Sequence, residues 1–208
     1  MLLSTAFFPP LSWFAAAATE DKVYLEACEN YQKQSYRNRC RIAAAGGVEN
    51  LSVPVVHEGG TFKLPITEIK VDYSDPWIHK FFRAVDSAYE SSPFLEYYRD
   101  ELYAILESRP ESLWDLNLAV IRFFMNKTGL QTVVEPTETF TSSGYGIYGE
   151  DLREAIHPKR ADTILKRLQL EKPYFQVFAG KYGFSENLSV MDLLFNMGPE
   201  SLLYLTKS

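Results

Sequence analysis

The sequence contains few of the residues that build metal sites and disulfide bonds. Two cysteines, Cys28 and Cys40, occur among 208 residues, and the three histidines are scattered at His57, His79 and His157. Neither set has the close, repeated spacing of a zinc or redox motif. We therefore expect no metal site, and we interpret both cysteines as small apolar residues of strands.

No apolar run reaches the roughly 18 residues that a membrane-spanning helix needs. Residues 1–18 are largely apolar and end in four alanines, which superficially resembles a signal peptide. However, no lysine or arginine precedes this stretch, and Pro9-Pro10 interrupts it, so the charged start and continuous apolar segment of a secretory signal are missing. The sequence predicts no membrane span and a cytoplasmic location.

The chain also lacks an excess of positive charge, because 27 acidic residues outnumber 21 lysines and arginines and give a net charge of −6. A negative protein repels the phosphate backbone of nucleic acid, which is therefore not an expected partner. A few placed cations still act over about 10 Å at ordinary salt, so a small anion can be bound. No GxGxxG, Walker A or GxSxG motif occurs, and the cofactor is unknown from the sequence.

Hydrophobic periodicity predicts an N-terminal β-α-β unit followed by a β-hairpin. An apolar strand over 1–8 and a short helix over 13–19 precede an alternating strand over 22–28. The segments 36–43 and 51–56 flank Gly46-Gly47, which is typical of a hairpin. Three segments with helical periodicity then begin after Asp75-Pro76, after Ser92-Pro93 and near Pro110.

These elements predict one domain over residues 1–208 with an α/β fold. The β-α-β unit and the hairpin are expected to form a mixed sheet, covered by a layer of helices from the second half of the chain. Residues 139–149 are rich in glycine and tyrosine and have no period, so we interpret them as a loop, either a lid or a surface connection. Asn187 is expected to cap the final long helical segment.

The alternation predicts that Arg37, Arg39 and Arg41 line one face of a strand. Three guanidiniums within about 14 Å of strand need water, carboxylates or an anion, and arginine suits bidentate recognition of carboxylate or phosphate. The alternative is that they pair internally with Glu26 and Glu29. The sequence leaves both interpretations open.

Other polar residues could complete such a site. Gln32 and Lys33 lie in the same segment as the arginines, and Lys159 and Arg160 form a second basic cluster near the predicted end of a helix. Asn117 falls on the apolar face of its helix, where its amide needs a partner and is expected to brace neighbouring backbone. Four carboxylates are candidate general bases if the fold gathers them beside the arginines: Glu26, Glu29, Asp72 and Asp192. For Asp192 the preferred interpretation is a solvated or capping residue.

Several blocks in this sequence resemble the WbqC-like family of bacterial proteins. The most specific are Asn38-Arg39-Cys40-Arg41-Ile42 and the tail running from Asn187 to Gly198, and weaker matches are Phe7 to Pro10, Leu51 to Val55, Trp77, Ser92-Pro93-Phe94 and Asn117. The resemblance adds Asn38 to the expected ligand-binding residues. Many relatives open with a histidine in a His-Gln-Pro block, whereas Ser4 to Pro10 contains no histidine.

The resemblance implies a connection with O-antigen and surface-polysaccharide gene clusters and, for some members, the transfer of glycine to an amino sugar. The first hypothesis is therefore an acyl or aminoacyl transferase, in which Arg37, Arg39 and Arg41 hold a nucleotide sugar or an activated acyl donor. Glu26 or Glu29 would accept the proton from the attacking amine. The alternative is a non-catalytic module that recognises an anionic metabolite or the acidic surface of a partner.

Overall fold

The computed structural model describes residues 1–56, 63–142 and 146–207, in which short strands predominate before residue 53 and helices after residue 76. In chain order they are β1 (Leu2–Leu3), α1 (Leu11–Ala17), β2 (Lys22–Leu25), β3 (Arg39–Ala44), β4 (Gly47–Ser52), α2 (Trp77–Tyr89), α3 (Leu95–Glu107), α4 (Leu113–Thr128), β5 (Val133–Pro136), α5 (Ile164–Arg167), α6 (Ala179–Tyr182), α7 (Val190–Met197) and α8 (Leu202–Leu205). The α/β class and the β-α-β beginning are confirmed. No helix among these residues is long and apolar enough to cross a membrane.

Strands β1, β2 and β5 form a parallel sheet in the order β1-β2-β5. β2 is its central strand, and the backbone around Leu2 bonds onward to Glu150 and Leu152 at 2.8 and 2.9 Å. The sequence did not reveal β5, because its four residues contain a single Val133-Val134 pair as their apolar signal. β2 is thus paired on both sides.

The hairpin of β3 and β4 is a separate two-stranded antiparallel sheet rather than part of one mixed sheet. It cannot extend the parallel sheet through β2, because β1 and β5 already occupy both edges of that strand. The turn is Ala45-Gly46, and β4 consequently begins at Gly47, several residues before the expected position. Gly47 has a φ of 112°, a conformation that favours glycine.

The strand β3 begins at Arg39, so the expectation that three arginines share one strand face is wrong for Arg37. The backbone before Arg39 bonds to other parts of the chain: the carbonyl of Tyr36 accepts from Phe7 N–H at 2.8 Å, and the carbonyl of Arg37 accepts from Asn117 at 2.8 Å. These contacts prevent Tyr36 and Arg37 from joining the hairpin ladder, whereas the carbonyl of Asn38 still accepts from Val53 N–H at 2.9 Å. Arg39 and Arg41 do share one face, as alternation requires.

Helices α2, α3 and α4 confirm the three expected helical segments. The Ser112 hydroxyl caps α4 by accepting from Asp115 N–H at 3.0 Å, and Gly129 ends the helix with a φ of 79°. The helices pack against the aromatic residues of the N-terminal segment, where the ring centroid of Phe8 lies 4.9 Å from that of Phe81 and 5.6 Å from that of Phe124. The core therefore joins the first ten residues to the helical layer.

The C-terminal segment is bonded to the beginning of the chain. Ser189, not Asn187, caps α7, because its hydroxyl accepts from Met191 N–H at 3.2 Å. The Asn187 side chain instead accepts from Ser12 N–H at 2.9 Å, so it holds α1. Ser189 N–H donates to the carbonyl of Arg41 at 2.9 Å. The tail thereby links α1 to the hairpin.

Gly198→Ala should destabilise the protein by about 2 kcal/mol or more, because overpacking and a left-handed backbone both oppose a side chain at this position. Gly198 has a φ of 53°, and an added Cβ would lie 2.6 Å from the ring of Phe94. Urea denaturation measures the change. Gly180→Ala is the matched control, since no atom lies within 4 Å of its added Cβ; equal stability of the two variants would contradict the prediction.

Candidate functional site

Glu29 and Arg37 form a buried ion pair between the end of the parallel sheet and the start of the hairpin. The guanidinium donates to both carboxylate oxygens, from Nε at 2.8 Å and from Nη2 at 2.5 Å. The Ser4 hydroxyl accepts from the same Nη2 at 2.7 Å and donates to the carboxylate at 3.2 Å. Gln32 accepts from Nη1 at 3.4 Å. Arg37 is only 2% exposed, so its guanidinium bonds to protein groups rather than to solvent.

A second buried ion pair joins Glu26 to Arg153. Arg153 donates to Glu26 at 3.1 Å and to both oxygens of Asp151 at 2.9 and 2.6 Å. The Thr137 hydroxyl donates to the other oxygen of Glu26 at 2.7 Å. Sequence reasoning missed Arg153, because nothing in the local pattern around it distinguishes a buried arginine from a surface one.

The two carboxylates proposed as general bases are therefore both occupied by arginine. Burial raises the pKa of Glu29, and the adjacent Arg37 guanidinium opposes that rise. Glu26 is fully buried and also accepts from the backbone N–H groups of Cys28 and Thr141, at 3.1 and 3.0 Å. Neither carboxylate reaches an open surface, so the geometry gives both a structural role.

Glu29→Gln should lower the free energy of unfolding by about 3 kcal/mol, because it leaves the Arg37 charge buried without its counter-charge. Guanidinium denaturation of the purified variant measures the loss. Glu150→Gln is the control: it removes an exposed pair with Arg167, and such pairs contribute little. A Glu29→Gln variant as stable as the control would contradict the structural role.

An open cavity of about 530 Å³ lies between the hairpin, the segment before it and the first turns of α2. We call it the hairpin cavity. Its walls consist of Tyr31, Lys33, Gln34, Asn38, Arg39, Asn50, Leu51, Ser52, Val53, Pro54, Val55, Asp75, Trp77, Lys80 and Phe81. The volume falls in the range typical of small-molecule sites.

The charged groups that the described residues contribute to the hairpin cavity are three cations and one carboxylate. Lys80 is paired with Asp75, and its ammonium lies 2.8 Å from both carboxylate oxygens. Both side chains are more than half exposed, so water weakens this pair. Arg39 pairs with no carboxylate in the described part of the chain. The cavity therefore has a positive wall on a protein whose net charge is negative.

Three polar atoms of the cavity wall have no hydrogen-bond partner among the described residues: Asn38 Oδ1, Arg39 Nε and Trp77 Nε1. Each has less than 1 Å² of exposed surface, so water does not reach it either. The Asn38 amide is oriented by its donation from Nδ2 to the carbonyl of Val53 at 3.1 Å. Buried unpaired polar groups cost free energy and are rare in folded proteins, and three residues of this one cavity wall carry such groups.

The other expected ligand-binding residues are dispersed. Arg41 lies beside Tyr36; burial raises the pKa of that phenol, and the Arg41 charge opposes the rise. The Asn117 amide donates to the backbone of Arg37, which is the bracing contact expected from its helical position. Neither residue lines the hairpin cavity.

The second basic cluster reaches the hairpin cavity through a single residue. Lys159 donates to Gln34, which lines the cavity and has a left-handed φ of 56°. Arg160 instead pairs with Glu154 at 2.7 Å on the surface. The structure thus brings Lys33, Asn38, Arg39 and the Gln34–Lys159 contact together at one cavity.

The tyrosine-rich loop is attached to the buried ion pairs at one end, through the Thr141 N–H bond to Glu26. At its other end the Tyr148 ring lies 4.5 Å from that of Tyr24, between centroids. Residues 143–145, in the middle of the expected lid or connection, lie outside the described residues. The described parts of the loop pack on β2.

Asp192 is 1% exposed, so the expectation of a solvated or capping residue is wrong. Its carboxylate accepts from the Tyr174 hydroxyl at 2.6 Å and from Gln176 Nε2 at 2.9 Å. Burial raises the pKa of Asp192 to about 6, and these hydrogen bonds limit the rise. Every residue of α7 from Val190 to Asn196 is buried, whichever face of the helix it lies on. Asp192 is therefore buried together with its apolar neighbours.

Asp192→Asn should increase stability at neutral pH by about 3 kcal/mol, which is the free energy equivalent of the raised pKa. The folded state binds a proton more tightly than the unfolded state, so the free energy of unfolding of the native protein falls as pH rises from about 4 to above 6. The variant should lack this fall. Urea denaturation of both proteins between pH 4 and 8 measures the difference, and parallel pH profiles would contradict it.

Comparison with known proteins relates the chain to a family. The model of the WbqC-like protein family matches residues 5–157 of the 208. The uncharacterised protein Rv1507c of Mycobacterium tuberculosis (strain ATCC 25618 / H37Rv) is 24% identical over 227 residues, which cover 98% of this chain and 96% of the relative. No solved structure matches the chain significantly. The region matched by the family contains every residue that lines the hairpin cavity.

Proposed function

The chain belongs to the WbqC-like protein family, and we propose that it binds a small anionic metabolite in the hairpin cavity. Arg39 is the observation that carries this proposal. Two of the three arginines in and just before the hairpin are engaged elsewhere: Arg37 is ion-paired with Glu29, and Arg41 lies beside Tyr36. Arg39 borders the open cavity. An arginine that has no counter-charge among the described residues is well suited to a carboxylate or a phosphate.

The surroundings of Arg39 strengthen the attraction for an anion. Lys33 and Lys80 line the same cavity, and Asp75 is the single carboxylate that residues 1–56, 63–142 and 146–207 contribute to its wall. Lys159 adds a further cation at the rim through its contact with Gln34. Because the cations are concentrated in a concave surface, they raise the local concentration of an anion even though the whole protein is negative.

The buried Nε of Arg39 and Nε1 of Trp77 add two N–H donors to this wall. Their burial means that a ligand reaches them only after small side-chain rotations. A ligand that satisfies them recovers part of the free energy that the unpaired groups cost, which is about 1–3 kcal/mol for each. Anion binding would thereby stabilise the cavity wall.

A transferase acting on an amino sugar is the second candidate, and Asp75 favours it. Transfer of an acyl or aminoacyl (glycyl) group requires a carboxylate that can accept a proton from the attacking amine. Glu26 and Glu29 are held by Arg153 and Arg37 away from the cavity. Asp75 lines the cavity, and among the described residues its ion-pair partner is the exposed Lys80. In this version of the function, Asp75 therefore takes the general-base role instead of Glu26 or Glu29.

The transferase version would use a nucleotide sugar or an activated acyl donor and would serve surface-polysaccharide (O-antigen) biosynthesis, as the family resemblance implies. Mass spectrometry of reactions that contain an amino sugar and an aminoacyl or acyl donor separates the two versions. Formation of an N-acylated sugar that Asp75→Asn abolishes supports the transferase. Anion binding without any product supports a binding module.

Arg39→Gln should weaken anion binding about tenfold or more, because a charge-assisted hydrogen bond and one cation are lost. Thermal shift with inorganic phosphate, a nucleotide sugar, ATP and acetyl-CoA identifies the anions that stabilise the wild-type protein, and isothermal titration calorimetry then measures their affinity. Arg122→Gln is the matched control, since Arg122 is an exposed residue of α4 outside the cavity wall.

The control variant should bind with wild-type affinity. The proposal fails if none of the four compounds changes the melting temperature of the wild-type protein. It also fails if Arg39→Gln leaves every measured affinity unchanged.

A further inference from the structure

Two polar side chains of β4 lie next to Arg39 and Arg41 on the hairpin. Ser52 is directly opposite Arg39 in the strand register, and Asn50 is directly opposite Arg41. Directly opposite residues of an antiparallel pair have Cβ atoms about 4.5–5.5 Å apart. Ser52 therefore adjoins the arginine that we assign to the anion, and Asn50 follows two residues along the same strand face.

Ser52 and Asn50 are both exposed and both line the hairpin cavity. Within residues 1–56, 63–142 and 146–207, neither side chain has a hydrogen-bond partner. A hydroxyl and a primary amide each donate and accept hydrogen bonds, which is the combination that recognises ligand hydroxyl groups. These two side chains are therefore available to a ligand without breaking a contact inside the protein.

The spacing of these groups limits the size of the ligand. The Cβ atoms of Arg39 and Ser52 are about 5 Å apart, and Asn50 lies about 7 Å further along the strand than Ser52, because that is the separation of residues two apart. A six-membered ring attached to the anionic group would place its hydroxyls at such distances. A single inorganic ion could not contact all three residues.

The aromatic residues of the cavity do not favour a flat aromatic ligand. Tyr31, Trp77 and Phe81 are all buried, with at most 5% of their surfaces exposed, so they offer little ring face for stacking. The more exposed part of the wall combines amides, a hydroxyl, cations and the Asp75 carboxylate with the partly exposed apolar residues Leu51 and Pro54. The polar groups of this wall suit a ligand that carries several hydroxyls.

We propose that the ligand of the hairpin cavity is an anionic polyol, a phosphorylated or carboxylated sugar-like molecule whose hydroxyl groups bind Ser52 and Asn50 while its anionic group binds Arg39. Ser52 and Asn50 are then the residues that determine specificity. This inference rests on the proposed anion-binding function, because it assigns the part of the same ligand that the arginine does not contact.

Calorimetric titration of the full chain with two matched pairs of compounds tests the inference. Glucose 6-phosphate is compared with cyclohexylmethyl phosphate, and glucuronate with cyclohexanecarboxylate, so that within each pair the anion is kept and the hydroxyls are removed. The hydroxylated member of at least one pair should bind about tenfold more tightly, as expected for one or two added hydrogen bonds. The pair that shows this distinguishes a phosphate from a carboxylate ligand.

Asn50→Leu and Ser52→Ala should each weaken binding of the hydroxylated compound about fivefold to tenfold and leave binding of its hydroxyl-free partner unchanged. Asn126→Leu and Ser87→Ala, at exposed positions of α4 and α2, are the matched controls and should change neither affinity. A general loss of structure would instead weaken both members of a pair together.

Equal affinity for both members of each pair would overturn the polyol assignment and leave anion binding intact. The same conclusion would follow if Asn50→Leu and Ser52→Ala weakened both members equally. If no member of either pair binds, the polyol assignment fails, whereas anion binding itself is decided by the thermal shift with phosphate, a nucleotide sugar, ATP and acetyl-CoA.

Discussion

The buried ion pair between Glu29 and Arg37 is the contact on which the relation between the parallel sheet and the hairpin depends. Glu29 follows β2, Arg37 precedes β3 and Ser4 follows β1, so three separate segments meet at one carboxylate. Removing two charges from water is costly unless their hydrogen bonds are satisfied. Because Arg37 is satisfied by both oxygens of Glu29 and by Ser4 and Gln32, the segments can occupy few alternative positions.

The same ion pair removes Arg37 from the arginines that a ligand could contact. Asn117 holds the carbonyl of Arg37, so α4 fixes the backbone just before the hairpin begins. The side chains then diverge: Arg37 points into the ion pair, and Arg39, two residues later, borders the hairpin cavity. A buried, ion-paired arginine and an arginine that borders an open cavity thus lie two residues apart.

The C-terminal tail supports this arrangement from the other side of the hairpin. Ser189 bonds to the backbone of Arg41, Asn187 bonds to α1, and Asp192 is buried under Tyr174 and Gln176. The tail block of the family resemblance therefore has a clear structural role. In the N-R-C-R-I block, the proposed function assigns ligand binding to Asn38 and Arg39, because both line the cavity.

The sequence by itself determined the helices, the hairpin and the β-α-β start, because periodicity, proline at helix starts and Gly129 at a helix end act within a few neighbouring residues. Only the tertiary structure decided the roles of the polar residues. Glu26 meets Arg153 across 127 residues of chain, and Asp192 is buried by a loop 16–18 residues before it. The position of β5 and the separation of the two sheets likewise depend on the pairing of β2, which has β1 on one edge and β5 on the other. Such contacts between distant segments leave no local pattern, so strand alternation could place Arg39 and Arg41 on one face but could not show that Arg37 lies outside the strand.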